Sequence, residues 1–290
     1  MHILTFDIEE WYIEKKYLGD RSNKYKEYDR YLKLILEVLD SKNMKATFMC
    51  VGELARLFPY VVKTIAERGH EIGCHSNEHV WLTTLKPDQL RKDTKNAIAA
   101  LEDVSGKKIR SYRAPAFTIG ENNKYALEIL AENGIEMDSS IFSVARDFGG
   151  FPSFTLEEPS IIKYNGIELK EFPICTTKLM GKRIAYSGGG YFRFFPLSFV
   201  KSRMNASDYA ISYFHIGDVV RLLDFFITKE LYEDYFKEEG IFLNRLKRQI
   251  KSNLGISSAF DKMCRLIQEM DFVCLEKAEK QIDWNNARIV

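Results

Sequence analysis

The chain has few of the features that mark a secreted protein. Of its 290 residues only five are cysteine, they are widely spaced, and no two of them form a C-x-x-C pair: Cys50, Cys74, Cys175, Cys264 and Cys274. An odd number of scattered cysteines favours reduced thiols over a disulfide framework. We therefore expect a cytoplasmic chain with buried thiols.

Long apolar runs are also missing. No stretch of about 18 apolar residues occurs, so the sequence predicts no transmembrane helix. The N-terminus, MHILTFDIEEWY, has neither a basic leader nor an uninterrupted apolar region before Asp7. It does not have the pattern of a signal peptide.

Neither sign of charge is in excess. Lys and Arg together number 42, against 41 for Asp and Glu. This balance provides no overall field that would attract nucleic acid or an anionic membrane. We expect partners to be recognised by local groups, and the composition leaves the oligomeric state open.

What the sequence does contain is a regular alternation of buried-strand and helix patterns over its first 140 residues. The run HILTFD is followed by the helical spacing of YDRYLKLILEVLDSKN and then by the apolar run KATFMCVG. The alternation continues through PYVVKTIAERG, HEIGCH, PDQLRKDTKNAIAALEDVSG, IRSYRAP, NNKYALEILAENG and IEMDSS. This order predicts an α/β fold with parallel strands and right-handed crossovers.

The pattern becomes irregular at about 143–210. This region, which includes DFGGFPSF and YSGGGYFRFFP, indicates loops and short strands in an insertion or elaborated rim. DYAISYFHIGDV then predicts a strand that ends at His215, and DFVCL at 271–275 predicts a last strand. Without internal repeats or a low-complexity linker, we expect residues 1–290 to form a single domain.

Polar side chains stand where predicted strands end. Asp7, His75, Arg113 and Asp138 each follow a buried strand. In parallel α/β folds the catalytic groups sit at the carboxyl ends of the strands. These residues are therefore the first candidates for an active site.

The segment His75 to His79 offers two imidazoles four residues apart. Two imidazoles and a carboxylate can hold a divalent ion and leave coordination positions open for water and substrate. The spacing alone is weak, since two histidines on an exposed helix produce it by chance. The acidic cluster of Asp7, Glu9 and Glu10 at the end of the first strand strengthens the metal interpretation, although a solvated turn would look the same.

Three further positions have chemical interpretations and simpler structural ones. Arg113 could hold a catalytic carboxylate ionised, or pair with a surface acid. Pro115 restricts the backbone so that the amide of Ala116 could face a developing oxyanion. His215 is a candidate general acid, although alone it would more often be structural.

The stretch SGGGYFRFF has two interpretations. Its glycines could let the backbone approach a ligand, with Tyr191 and Arg193 lining a cleft. A glycine-rich turn between two hydrophobic strands is the simpler alternative.

Taken together, these motifs resemble the polysaccharide deacetylases of the NodB-homology class, carbohydrate esterase family 4. The resemblance covers nearly the whole chain and rests on LTFDIEEWY, ATFMCVG, HEIGCHSNEH, YRAPAF, MDSSIF and YFHIGD. ELKEFPI and YSGGGYFRFFP resemble the subgroup associated with exopolysaccharide and capsule biosynthesis.

The resemblance implies a distorted (β/α)7-type barrel that uses a divalent metal, often zinc, with cobalt, nickel or manganese as alternatives. It implies removal of N-acetyl groups from an amino sugar in a polysaccharide or its precursor. The implied roles are base for Asp7, metal ligands for His75 and His79, loop support for Ser76, orientation of the base for Arg113, oxyanion contact for the Ala116 amide and leaving-group acid for His215. Asp138 joins this catalytic set, and Pro115, Phe117, Tyr191 and Arg193 are implied substrate contacts.

Two positions depart from the family pattern. Ile8 stands where many members have a second aspartate, so the third metal ligand must come from elsewhere, and Glu9 is favoured over Glu10 if the strand continues. After His215 the chain has Ile-Gly-Asp, so Asp218 takes the place of a glutamate.

The sequence leaves two alternative functions open. One is a hydrolase of cyclic amides or imides on the same fold. The other is a non-catalytic sugar-binding homologue that holds no metal.

Overall fold

The computed structural model describes residues 1–144 and 149–290. Its strands are β1 His2–Ile8, β2 Thr47–Cys50, β3 Glu71–Cys74, β4 Ser111–Tyr112, β5 Met137–Asp138, β6 Ser160–Tyr164, β7 Ile167–Glu171, β8 Thr176–Leu179, β9 Lys182–Ala185, β10 Ala210–His215 and β11 Arg288–Ile289. Its α-helices are α1 Glu10–Leu18, α2 Ser22–Ser41, α3 Gly52–Leu57, α4 Pro59–Glu67, α5 Pro87–Ser105, α6 Tyr125–Glu132, α7 Gly189–Phe194, α8 Leu197–Asn205, α9 Lys229–Phe236, α10 Phe242–Asn253, α11 Ile256–Glu269 and α12 Leu275–Gln281.

Nine strands form one sheet in the order β10-β1-β2-β3-β4-β5-β7-β6-β11. All neighbouring pairs are parallel except the hairpin β6–β7. Helices flank this sheet, and the fold is α/β, a distorted (β/α)7-type barrel, as the sequence predicts. Because the strands are parallel, the side chains that end β1, β3, β4 and β10 meet at one edge.

Strand β1 lies at the centre of the core. Its apolar residues are fully buried, and the ring of Phe6 stacks on Phe48 of β2 at 4.9 Å between centroids and contacts Phe214 of β10 at 5.9 Å. Aromatic pairs at these separations add to the free energy gained by burying their surface. The register places Asp7 of β1 directly beside His215 of β10.

The segment that follows β7 brings the two sides of the sheet together. The hydroxyl of Tyr209 donates to the carbonyl of Pro173 over 2.8 Å, and the amide of Ile211 donates to Sγ of Cys175 over 3.2 Å. These contacts connect residues 173–175 to β10. The ring of strands is therefore closed by side-chain contacts rather than by a backbone ladder.

The structure corrects two sequence predictions. The glycine-rich stretch is not a turn between strands, because residues 189–194 form helix α7. The predicted last strand at 271–275 is wrong: only Val273 bridges to Ile3 of β1, and α12 begins at Leu275. The irregular region 143–210 contains β6 to β9, α7 and α8, and its residues 145–148 lie outside the described part of the chain.

All five cysteines are free thiols, and all but Cys264 are buried. Within the described residues, none of the helices combines the length and the apolar character that crossing a bilayer requires.

Candidate functional site

Three potential metal ligands converge at the carboxyl edge of the sheet. Glu9 Oε2 lies 3.2 Å from His75 Nε2 and 2.7 Å from His79 Nε2. The three ligand atoms lie within 4.8 Å of one another. Two imidazole nitrogens and a carboxylate oxygen suit zinc and other divalent transition metals.

The hydrogen bonds of His75 test whether a cation fits between these atoms. Its Nδ1 lies 2.8 Å from the carbonyl oxygen of Arg113, which only accepts, so Nδ1 carries the proton. In the neutral ring Nε2 then has a lone pair, and that lone pair faces the carboxylate of Glu9. A proton on Nε2 or a cation between the two atoms would satisfy both groups, and Glu9 Oε2 is buried without a hydrogen-bond partner among the described residues. A backbone carbonyl that fixes the tautomer is typical of metal-binding histidines. The residues therefore fit a divalent cation.

Glu10 takes a different direction from Glu9. Its Oε1 accepts a hydrogen bond from the amide of Gly217, and the side chain is only 4% exposed. Burial and the adjacent charge of Glu9 raise the pKa of Glu10 to about 8. Burial also opposes ionisation of Glu9, but the charge of His79 and the contacts with both imidazoles hold the pKa of Glu9 well below its usual range. Of the two glutamates, Glu9 is the one placed as a ligand.

The loop that carries the histidines has a strained backbone held by polar contacts. Ser76 and His79 adopt positive φ values of 61° and 53°, which is uncommon for residues other than glycine. The amide of Asn77 donates to Asp93 over 2.9 Å, and Arg56 donates to the Asn77 side chain over 2.8 Å. Sequence reasoning missed Asp93 and Arg56, which lie on helices distant in sequence from the loop.

Asp7 is joined to a fully buried arginine. Arg113 Nη1 donates to Asp7 Oδ1 and to Thr5 Oγ1, each over 2.7 Å, and its Nη2 donates to Ser139 Oγ over 2.9 Å. Thr5 was missed by the sequence reasoning, although it lies two residues before Asp7 and so shares its face of β1. The guanidinium is satisfied on several sides, which fixes the position of the Asp7 carboxylate.

His215 lies on the other side of Asp7. Its Nε2 is 3.6 Å from Asp7 Oδ2, and its Nδ1 is 3.2 Å from Asp218 Oδ2, which also accepts from the His215 amide over 2.9 Å. Burial lowers the pKa of His215, but the hydrogen bond to Asp218 and the charges of Glu9, Asp218 and Asp7 outweigh it and raise the pKa to about 10. The imidazole is therefore protonated at neutral pH.

The segment after Arg113 turns sharply. Ala116 and Phe117 have φ values of 52° and 56°, and Pro115 precedes them. Pro115 and Phe117 are buried, and the ring of Phe117 contacts Tyr213 at 5.1 Å between centroids. The structure thus places Phe117 beneath the site, with Ala116 half-buried at its surface.

Three predicted site residues lie outside the cluster of Glu9, the two histidines, Asp7 and His215. Asp138 is fully buried and accepts from Ser140, and burial raises its pKa despite a hydrogen bond shared with Glu171. Tyr191 is half-buried on α7. The guanidinium of Arg193 donates to the carbonyl of Ser252 over 2.8 Å and lies 3.8 Å from Asp218, so it supports the partner of His215.

A cavity of about 270 Å³ opens next to the ligand cluster. Glu9 and Glu10 line one wall, and the opposite wall includes Tyr235 of α9 and Arg248 of α10. Glu9 therefore contributes to both the ligand cluster and the cavity. Sequence reasoning missed this wall, because α9 and α10 follow the last motif.

Comparison with known proteins finds matches to two parts of the chain. Residues 3–137 match the polysaccharide deacetylase family, and residues 139–224 match a domain of unknown function, DUF3473. The first of these matches assigns residues 3–137 to the polysaccharide deacetylase family. The match includes Asp7, Glu9, both histidines and Arg113, whereas His215 lies in the second match.

Two curated deacetylases are similar to part of the chain. A peptidoglycan-N-acetylglucosamine deacetylase of Bacillus cereus is 38% identical over 32% of this chain and 34% of its own length. The peptidoglycan-N-acetylmuramic acid deacetylase PdaA of Bacillus subtilis is 29% identical over 34% of this chain and 40% of its own length. The matched segment thus spans well under half of these relatives.

A solved structure from Mycobacterium smegmatis, of a protein assigned as a polysaccharide deacetylase, has the same fold. It superposes with a TM-score of 0.65 at 18% identity, over 99% of this chain and 91% of the other. At this identity the likeness concerns the fold alone.

Proposed function

We propose that the protein is a metal-dependent hydrolase that removes N-acetyl groups from an amino sugar in a polysaccharide or its precursor. The observation that carries this proposal is the convergence of Glu9, His75 and His79 beside the Asp7–Arg113 pair and His215. The names of the two Bacillus relatives, both deacetylases of N-acetylated sugars, support it.

Glu9, His75 and His79 would hold the metal ion. A divalent cation at this position supplies Lewis acidity, which polarises an acetamide carbonyl and makes a water molecule easier to deprotonate. The carbonyl of Arg113 keeps His75 in the tautomer that leaves Nε2 free to coordinate.

Asp7 is the proposed base. Arg113 occupies its Oδ1, so Oδ2 is the oxygen left to accept a proton from the attacking water. The hydroxyl oxygen bonds to the carbonyl carbon, and the carbonyl oxygen takes up the negative charge. The amide of Ala116 is the proposed donor to that oxygen.

His215 is the proposed acid. Its raised pKa keeps the imidazole protonated, and Asp218 holds its Nδ1 side, so Nε2 is the atom that donates. Transfer of that proton to the amide nitrogen accompanies cleavage of the C–N bond and releases the amine and acetate.

The test measures acetate release from N-acetylglucosamine oligosaccharides by protein loaded with zinc and by protein treated with chelator. We expect activity only with metal, and we expect His215→Ala to lose most of the turnover while retaining its zinc. Near-native turnover of His215→Ala would refute the acid role. Hydrolysis of a cyclic imide without acetate release would favour the cyclic-amide alternative, and a protein that binds no metal would favour the sugar-binding one.

The assignment to the capsule and exopolysaccharide subgroup and the cytoplasmic location stay predictions.

A further inference from the structure

Helix α10 is amphipathic, but its apolar face is turned toward solvent instead of toward the core. Phe242, Leu246 and Ile250 recur every four residues, and Leu243 lies seven residues before Ile250, so these side chains form one apolar stripe. A surface helix usually turns such a stripe toward the core. In α10 no residue is buried.

The apolar stripe faces solvent. Phe242, Leu243 and Ile250, which we call the outer row, are 63%, 52% and 58% exposed. The row extends beyond the helix, since the ring of Phe226 packs on Phe242 at 5.5 Å between centroids and is itself 39% exposed. A contiguous exposed apolar surface of this kind marks an interaction site.

The polar face of α10 is the one that holds the helix to the protein. Arg245 donates to the carbonyl of Ile227 over 2.9 Å, and Gln249 donates to the carbonyl of Phe225 over 3.2 Å. The guanidinium of Arg248 lies 4.3 Å from the centre of the Phe236 ring. These contacts fix the orientation of the helix, so the outer row cannot turn inward without breaking them.

The charges beside the outer row identify the partner. Lys247 and Lys251 are exposed and lie along one side of the apolar stripe, and the segment Phe242–Asn253 contains no acidic residue. An apolar stripe bordered by lysines is the pattern of helices that lie in the interface of a bilayer with anionic lipids. We propose that α10 docks the protein onto an anionic lipid surface, with the outer row among the headgroups and the two lysines on the phosphates.

A second copy of the chain suits this surface less well. In a two-fold symmetric dimer the same patch meets itself, so Lys247 and Lys251 of both copies would be brought near each other without a counter-charge from the helix. An anionic bilayer provides that counter-charge. The near-neutral net charge of the chain makes such attraction a property of this patch and not of the whole molecule.

Docking through α10 would bring the candidate site close to the lipid. Arg248 and Gln249 of α10 line the cavity whose other wall contains Glu9. These two residues lie on the inward face of the helix, so the cavity would stand about 10 Å from the lipid, one helix diameter away.

The experiment measures co-sedimentation of the full chain, without substrate, with vesicles of phosphatidylcholine containing phosphatidylglycerol and with vesicles of phosphatidylcholine alone. We expect binding to the anionic vesicles that weakens as salt is raised. Phe242→Ser with Ile250→Ser should lower the partition coefficient roughly tenfold or more. Lys247→Gln with Lys251→Gln should lower it roughly 10- to 30-fold on the anionic vesicles and much less on the neutral ones.

Matched controls change the same residue types elsewhere on the surface. Leu57→Ser with Met180→Ser removes two other exposed apolar side chains, and Lys33→Gln with Lys63→Gln removes two other exposed charges. Both controls should bind vesicles as the unaltered protein does, and circular dichroism should show that all variants are folded.

Absence of vesicle binding by the unaltered protein would overturn the proposal, as would equal loss in the controls. Concentration-dependent dimers that dissociate in the Phe242→Ser, Ile250→Ser variant, without vesicle binding, would assign the patch to a second copy instead. Because no substrate is present, these results do not depend on whether the site deacetylates sugars.

Discussion

Three carboxylates within four residues have three different partners. Asp7 pairs with Arg113, Glu9 reaches the two histidines, and Glu10 accepts from Gly217. The change from strand to helix between Ile8 and Glu10 produces this separation, because side chains alternate along β1 but radiate from the axis of α1. Ile8 is fully buried, so of the residues that follow Asp7 it is Glu9 whose carboxylate reaches the two histidines.

Replacing each of the neighbouring glutamates tests this division of roles. We expect Glu9→Gln to lower zinc affinity roughly 100-fold or more, because loss of a ligand should exceed the 10- to 100-fold cost of losing a group that only supports a ligand. Glu10→Gln should retain zinc, since the Glu10 carboxyl bonds to Gly217. Competition against a fluorescent zinc chelator gives both affinities. A larger loss in Glu10→Gln would reverse the assignment.

Asp218 offers a test of the acid that depends on pH. Its hydrogen bond and charge raise the pKa of His215, so Asp218→Asn should lower that pKa. An acid acts only while protonated, and the alkaline fall in kcat/KM should therefore move to lower pH. Asp224→Asn, which removes an exposed acid six residues away in sequence, should leave the profile unchanged. If both variants have the pH profile of the unaltered protein, His215 does not set the alkaline limb.

At the scale of elements, the well-patterned part of the chain could be predicted and the rest could not. Apolar spacing correctly predicts helices α2, α4, α5 and α6 and strand β10, because each of them buries one continuous face or run. Helix α7 was missed because glycine disfavours helices, but Phe192 packs on Phe214 at 4.9 Å and tertiary contact overrides that preference. The strand predicted at 271–275 failed because the segment pairs with β1 only at Val273.

The candidate site also has one part that the sequence predicts and another that it does not. The predicted part consists of residues at strand ends and in the loop after β3, which periodicity and motif spacing locate. They are Asp7, His75, His79 and His215, and the fold brings them together. The supports contributed by Thr5, Asp93 and Arg193 depend on how distant elements pack, and their residue types alone indicate nothing specific. Of these three supports only Thr5 could have been found from the sequence, because it lies on the same face of β1 as Asp7.

Gly52, the first residue of α3, packs closely against the loop that carries His75 and His79. A Cβ at this position would lie 2.7 Å from Cα of Ala97 and 2.7 Å from Oδ1 of Asn77. Gly52→Ala should therefore push α3 away from α5, lower the free energy of unfolding by about 1–3 kcal/mol and weaken zinc binding through Asn77. Urea denaturation and zinc titration measure the two effects. Gly190→Ala, whose Cβ would meet only the end of Arg193 at 3.5 Å, is the matched control. It should leave zinc binding unchanged and should not lower the free energy of unfolding, since alanine favours helix α7.

At the scale of the whole molecule, the two ends of the sheet have different tasks. The carboxyl edge carries the candidate site, whereas His70 lies before β3 at the opposite edge. His70 is fully buried, accepts the amide of Ala46 at Nδ1 over 3.3 Å and contacts the ring of Phe48 at 5.0 Å. It is a structural histidine, and its protonation should change the stability of the fold independently of the candidate site.

His70 should make the fold sensitive to mild acid. Burial, assisted by the charge of Lys45, lowers the pKa of His70 to about 4, whereas in the unfolded chain it is about 6.5. The unfolded state therefore binds a proton first as the pH falls, so this contribution is fully present above pH 6.5 and is lost between there and pH 4. From pH 7.5 to 5 the loss amounts to about 2 kcal/mol. Urea denaturation at both pH values should show that His70→Gln removes about this much of the difference, since glutamine does not titrate. If the variant keeps the full difference, the acid sensitivity arises from other groups and His70 is not buried as a neutral ring.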